Sequence, residues 1–481
     1  MKKNRIITGL SFFILVFAVS CSKFTNKPDL PEDIRILNHW IWDGLNDVYL
    51  WEDQIPNLDP DYQEDPEQYF YDLLAEEDHY SWIVDNYEEL LAMFNGIELS
   101  NGISARPGVL ADSGFVMSPH TTSFPDTARV ISIVEYVTPD SPALEAGIKR
   151  GDIIISIGGQ KLTRKNYYSL FYQTTTTFGF GDWNGYDVIP NGKSISLTAV
   201  ELNQNPVIHS EVIDYQGKKI GYLVYTQFTP GPEDEWLDSL NQVLESFRDA
   251  PVSDLVFDLR YNPGGSLDLA AYLASSLAPR AAMDQEEVFV NLVWNEAYNE
   301  YWKKQDMDDD GKADGADSEQ LKLRFPKSDH NLDLSTVYFL TTDNTASASE
   351  SLMTGLYPYM NVVQIGTTSY GKCYGSVTIT DWAEPKRHSW AMQPIVLKYS
   401  NADGFTDFVN GIDPDTEVDD NLLEAKPFGS LEDPLLARAL EEITGVYPVA
   451  KRSVKAARGF TGMPVPKNRM VERRISLPGA F

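Results

Sequence analysis

The spacing of apolar residues changes character along the chain, and each change predicts a different element. An apolar run from Ile6 to Val19 follows Lys2, Lys3 and Arg5. It is too short for a membrane span and predicts a secretory signal over residues 1–20. Residues 21–32 are polar, with Pro28 and Pro31, and read as a tether. Between 33 and 99, Trp40, Leu45, Val48, Tyr49 and Trp51, then Tyr69, Leu73 and Leu74, recur at three-to-four spacing. That period predicts a small helical domain with its tryptophans in the core. Residues 100–201 change to short strands and turns. From 205 to 445 strands alternate with helices. Ile220 to Phe228, Leu255-Val256-Phe257, Val337 to Leu340 and Val362 to Ile365 read as strands, and Trp236, Leu237, Leu240, Val243, Leu244 and Phe247 as a helical stripe. This alternation predicts an α/β core. Asp433-Pro434 begins a capped helix.

Within the β-rich stretch one piece is specific. Ser141-Pro142-Ala143-Leu144-Glu145-Ala146-Gly147-Ile148 leads through Lys149-Arg150-Gly151-Asp152 into Ile153-Ile154-Ile155-Ser156-Ile157. Proline suits a first helical position, glycine a helix end, and Gly151-Asp152 a turn into a strand. The run resembles the helix–turn–strand signature of bacterial PDZ domains. The resemblance implies a module that binds an extended peptide at a sheet edge and captures a terminal carboxylate. Gly114-Phe115-Val116 is the candidate carboxylate-binding loop.

Composition narrows the field. Hydrophobic residues make up 42% and charged residues 23%, as in a globular protein, and a length of 481 residues calls for several cores. The formal net charge of −32 excludes nucleic acid and anionic headgroups as partners. There are 2 cysteines, Cys21 and Cys373, too few for a cysteine metal cluster. Cys21 directly follows the small residues that end the signal, which resembles a bacterial lipoprotein box. That resemblance implies acylation of Cys21 and anchoring to the bilayer of a bacterial cell envelope, facing the periplasm or the cell exterior. Residues 446–481 form a basic, proline-containing tail on an acidic body. The tail reads as flexible and on the surface, with a charge that suits the protein's own PDZ groove.

Three pieces of the α/β region carry candidate chemistry. Asp258-Leu259-Arg260-Tyr261-Asn262-Pro263-Gly264-Gly265 follows a buried strand, and its glycines let backbone N–H groups approach a developing oxyanion. Thr345-Ala346-Ser347-Ala348-Ser349-Glu350 joins a strand to a helix, where a serine hydroxyl is exposed, although Ser347 with Glu350 also reads as a capping box. Gly371-Lys372 comes one helix and one strand later. That crossover returns the chain beside its starting strand, so both side chains can meet at one sheet edge.

Together these pieces, with Gly411-Ile412-Asp413-Pro414-Asp415, resemble the C-terminal processing (tail-specific) peptidase family. The resemblance covers roughly residues 100–445. It implies a crotonase/ClpP-like α/β protease core with an inserted PDZ domain and an N-terminal helical domain. It further implies Ser347 as nucleophile, Lys372 as general base, and an oxyanion hole from the N–H of Ala348 and of Gly264 or Gly265. Family members carry a glutamine that orients the lysine. Here Gly371-Lys372-Cys373-Tyr374-Gly375-Ser376-Val377-Thr378 has none, and Ser376, or Thr378 with one insertion, stands in its place.

A Ser–Lys dyad needs a neutral amine. Lysine titrates near ~10.4 in water and burial lowers that by roughly 3–5, so Lys372 is expected in an apolar pocket without a carboxylate partner. A helix puts Glu350 one turn past Ser347, facing away. The histidines (39, 79, 120, 209, 330, 388) fall in no catalytic context, and Cys373 points away from its neighbour Lys372. No cofactor is required. Asp306, Asp308, Asp310, Asp314 and Asp317, with Gly311, match both a structural calcium loop and a solvated acidic loop. The expected function is a serine endopeptidase acting on extended or C-terminal regions of envelope proteins. The rival is a catalytically silent, lipid-anchored PDZ protein that binds peptides.

Overall fold

The computed structural model describes residues 30–112, 129–307, 311–448 and 458–463. Cys21, Gly114, Phe115, Val116, Asp308 and Asp310 lie outside the described residues. Among the described residues no helix is long and apolar enough to cross a membrane.

The N-terminal unit is built on the helix Glu32–Val48, whose inner face buries Leu37, Trp40, Ile41 and Leu45. These meet Tyr69 and Phe70 of the helix Pro66–Asp72, which starts with Asp65 accepting the Gln68 N–H and proline at its first position. The tryptophan stripe is therefore core, as its spacing predicts. The unit is not wholly helical. Trp82–Val84 is a buried strand paired antiparallel with Ala391–Gln393. A three-residue strand has no period to read, and only its distant partner makes it one.

The second unit is an antiparallel sheet of Ile103–Asp112, Ile131–Val137, Ile153–Ile157, Thr175–Trp183 and Val188–Thr198. Its helix Pro142–Glu145 is capped by Ser141, whose hydroxyl accepts the Leu144 N–H. The outer edge of Ile103–Asp112 carries one more strand, Arg458–Gly462, from the segment expected to be a flexible tail. These residues are ordered because backbone pairing and burial of Met463 hold them.

The third unit is a six-stranded sheet in the order Val207–Tyr215, Lys218–Tyr225, Asp254–Asp258, Thr336–Thr341, Asn361–Gly366, Thr416–Glu417. The first pair is antiparallel and the rest are parallel. Side chains alternate between two cores. Leu255, Phe257, Val337 and Phe339 face the helices Glu235–Asp249, Leu267–Leu277 and Ala348–Leu356. Val256, Tyr338 and Leu340 face the helix Pro434–Thr444. A sheet covered on both faces explains why these strands read as unbroken apolar runs. Each buried Leu or Phe contributes about 1.5–3 kcal/mol, so the strand ends are rigid platforms for the loops that follow them.

Candidate active site

The loops leaving the C-terminal ends of three neighbouring parallel strands converge. Thr336–Thr341 runs into the turn before Ser347, which sits at φ 56° and ψ −115° immediately ahead of the helix Ala348–Leu356. A positive φ on a serine is strained by about 1–3 kcal/mol and persists only where surroundings enforce it. Here they do. The Thr345 hydroxyl donates to the Leu259 carbonyl at 2.8 Å, and the Ala346 N–H and Ser349 hydroxyl both donate to the Asn262 carbonyl at 3.1 Å. The serine turn is thus bolted to the glycine loop.

Gly264 shows how close that approach is. A Cβ there would lie 2.7 Å from the Ala346 carbonyl oxygen and 2.8 Å from both the Ala348 nitrogen and the Ser347 Cβ, at a φ of +100°. Only glycine fits. Its N–H, however, donates to the Asn262 side chain at 2.8 Å. No hydrogen bond from the Ala348 or Gly265 N–H is found among the described residues. Of the donors expected from the sequence, those two remain available.

Asn361–Gly366 lies parallel to Thr336–Thr341, in register from Thr336 opposite Asn361 to Thr341 opposite Gly366, which brings the lysine loop beside the serine turn. Glu350 ties them together, contrary to the expectation that it faces away. Its buried carboxylate accepts the Ser369 hydroxyl at 2.6 Å and the Gly371 N–H at 2.7 Å on one oxygen. The other oxygen accepts the Ser347 N–H at 2.9 Å and the Lys372 N–H at 2.8 Å. At the start of a helix a glutamate folds back onto its own cap, and here the same fold-back reaches the lysine loop. Burial pushes the carboxyl pKa up, against the pull of these four bonds. A second clamp is the Tyr399 hydroxyl, within 3.0 Å of the Ser347 carbonyl and 2.8 Å of the Lys372 carbonyl. The Gly411–Asp415 piece supports the loop from behind, with the Thr368 hydroxyl on Asp413 at 2.8 Å and the Ile412 N–H on Ser369 at 2.8 Å.

No ion pair or hydrogen bond of the Lys372 amine is found among the described residues; both bonds of this residue, with Glu350 and Tyr399, are made by its backbone. Its amine lies 5.8 Å from the centre of the Tyr80 ring, and the Tyr80 hydroxyl donates to the Gly371 carbonyl at 2.6 Å. Burial lowers the Lys372 pKa and outweighs Asp78 and Glu350, whose charges raise it. The amine is therefore biased toward its neutral form. Neither the Ser376 nor the Thr378 side chain is found hydrogen-bonded to the amine among the described residues. Ser376 pairs with Ile395 in a neighbouring sheet, and Thr378 is bonded by Gln393. The residues that flank the lysine instead come from Tyr80 in the N-terminal unit, which the sequence alone did not single out. Cys373 is fully buried and burial raises its thiol pKa, as suits an inert side chain.

The glycine loop is also wired to the PDZ-like unit. Arg260 is 0% exposed and bonds Asp258, Asp420 and Asp433. Arg150, from the Lys149-Arg150-Gly151-Asp152 turn, reaches Asp420 at 2.8 Å and the hydroxyl of Tyr261. Two guanidiniums thus share one aspartate across the interface. On the sheet of that unit, a cleft is lined by Asn101, Gly102, Ile103, Tyr136, Phe171 and Tyr172, a groove that the sequence reading did not place. In the acidic loop, Asp306 accepts the Gly311 N–H and Asp314 the Met307 N–H, while Asp317 pairs with Lys322 at 2.6 Å. Among the described residues no group of acidic, histidine or cysteine side chains could hold a metal.

An α/β core with a strained serine at a strand–helix turn, a half-buried lysine on the neighbouring loop and an attached PDZ-type sheet define a fold class, that of the PDZ-bearing serine peptidases. The comparisons agree. Residues 219–418 match peptidase family S41, residues 37–82 the peptidase S41 N-terminal domain, and residues 133–171 a PDZ domain. The fold is that of the S41 peptidases, with an S41-type N-terminal domain and a PDZ domain. It is 24% identical over 287 residues to a "Probable CtpA-like serine protease" of Staphylococcus haemolyticus (strain JCSC1435), covering 58% of this chain and 48% of that one. A relative of the same name from Staphylococcus aureus (strain N315) is 26% identical over 282 residues, with the same coverage of 58% and 48%. The chain spans about half the length of these curated relatives. A crystal structure of a candidate S41 protease from Bacteroides fragilis NCTC 9343 is 29% identical, with a TM-score of 0.66 over 84% of this chain and 97% of that one.

Proposed function

We propose that the protein is a serine endopeptidase that cleaves extended or C-terminal regions of envelope proteins, using Ser347 and Lys372. The Ser347 hydroxyl attacks the scissile carbonyl carbon while the neutral Lys372 amine takes its proton. The oxyanion that forms accepts the N–H groups of Ala348 and Gly265. Lys372, now an ammonium, gives the proton to the departing amine as the C–N bond breaks. Water then attacks the acyl-serine with Lys372 again taking the proton, and the ammonium returns it to the Ser347 oxygen as the acyl C–O bond breaks and the second product leaves. The observation that carries this reading is a half-buried lysine whose amine has no acidic partner among the described residues and whose backbone is tethered through Glu350 to a serine held at positive φ. The PDZ cleft would recruit the substrate strand, and acylation of Cys21 would hold the protein at the membrane.

Ser347→Ala is expected to lower cleavage of an unfolded protein substrate by orders of magnitude while the fold is kept. Equal proteolysis by the variant overturns the assignment. The lack, among the described residues, of a hydrogen bond orienting the Lys372 amine favours one rival, a silent peptide-binding protein. Peptide binding by wild-type protein that never cuts would select it.

A further inference from the structure

The strand Arg458–Gly462 lies along Ile103–Asp112, the strand of the PDZ sheet whose first residues, Ile103 to Ala105, line the cleft. It pairs antiparallel with Ile103–Asp112, Arg458 opposite Asp112 and Gly462 opposite Gly108, and the Met463 N–H donates to the Pro107 carbonyl at 2.7 Å. Met463 joins the PDZ core, packed in a cluster with Ile103 and Val109. On that side the edge from Ile103 to Arg106 has no neighbouring strand among the described residues. The fit between the two strands is specific at two glycines. A Cβ on Gly108 would lie 2.4 Å from the Thr461 carbonyl oxygen and 2.5 Å from the Phe460 ring. One on Gly462 would lie 2.6 Å from the Arg106 guanidinium. Arg106 in turn holds Asp343, in the turn that leads to Ser347, at 3.0 Å.

A peptide that binds by strand addition needs unpaired backbone along its whole length. Half of this edge is already taken. We infer that Arg458–Gly462 is an internal occupant of the PDZ peptide edge, so that the intact protein accepts only a short terminal segment, on the order of four residues, between Ile103 and Arg106. A longer peptide must displace the strand. This rests on the peptide recognition proposed above and adds a limit on ligand length.

The test uses fluorescein-labelled peptides of four and ten residues sharing one leucine-terminated sequence with a free carboxylate. Binding is measured by polarisation in a Ser347→Ala background, so that nothing is cut. The intact chain should bind both peptides within about twofold. Gly462→Val, and separately deletion of residues 458–481, should raise affinity for the ten-residue peptide about tenfold, since each added ladder bond contributes modestly, and leave the four-residue peptide unchanged. A synthetic Arg458–Met463 peptide should compete with the long ligand on the deletion protein, and not with the short one. Equal affinity for the long peptide with and without the strand overturns the inference, as does a tenfold length preference already present in the intact chain. If neither peptide binds any form, recognition at the cleft falls and the length limit with it. Cleavage of an unfolded protein by the same forms with Ser347 restored reports separately on the catalytic assignment.

Discussion

Glu350 offers a sharp perturbation because its neighbourhood admits one protonation state. It is 0% exposed and receives four donors, two on each oxygen. Four donors saturate a carboxylate and leave no oxygen for a proton. Glu350→Gln keeps the shape and replaces one acceptor oxygen with an NH2 group. The amide oxygen can serve Ser347 and Lys372. Its NH2 can donate to the Ser369 oxygen, which also accepts the Ile412 N–H. The Gly371 N–H then faces another donor. A buried unpaired N–H costs about 1–3 kcal/mol, and the two bonds that remain lose the strength that charge gave them. Relief from burying an anion offsets part of this. A net loss of roughly 2–4 kcal/mol follows, with Glu350→Ala at or above the upper end because all four donors are stranded.

Thermal unfolding followed by tryptophan fluorescence should show Tm falling by several degrees for Glu350→Gln and by more for Glu350→Ala. The rate of protein cleavage, measured well below either Tm, should fall further than stability does, because the freed Gly371 N–H releases the lysine loop. A glutamine variant that melts within about a degree of wild type and cuts at the wild-type rate would falsify the hub.

Two further outcomes follow from buried charge. Lys372 has a folded-state pKa below its unfolded value because burial disfavours the ammonium. Between those values the unfolded chain binds more protons, so stability should climb with pH up to about 10.4. Cleavage should rise with pH through the folded-state value. Lys372→Met should abolish cleavage without lowering Tm at neutral pH and should flatten the climb, and a Met variant that melts well below wild type contradicts this account. Arg260→Met should leave Asp258 without its cationic partner and Asp420 and Asp433 with Arg150 alone, and destabilise by about 3–5 kcal/mol in denaturant titration. Unfolding indistinguishable from wild type would show that the three acids find other partners.

The sequence yielded what is encoded locally or repeated. The alternation of Leu255-Val256-Phe257 with Val337 to Leu340 announced a covered sheet, and the crossover between two parallel strands was enough to bring Ser347 and Lys372 to one edge. Contacts made by chain far away in sequence stayed hidden. Tyr80 reaches Gly371 from the N-terminal unit, and Tyr399 reaches both loops from a strand of another sheet; nothing in the spacing around either tyrosine marks it. Glu350 was visible but misread for a more instructive reason. Helical periodicity says which way a residue points within a helix, yet the first turn is where a side chain folds back over the end to meet unpaired N–H groups. The lysine loop brings two such groups to the same place, so the capping reading of Ser347 and Glu350 and the catalytic reading of Ser347 are parts of one arrangement. The carboxylate that caps the start of the helix also positions the backbone of Lys372, so one buried side chain holds the serine turn and the lysine loop together.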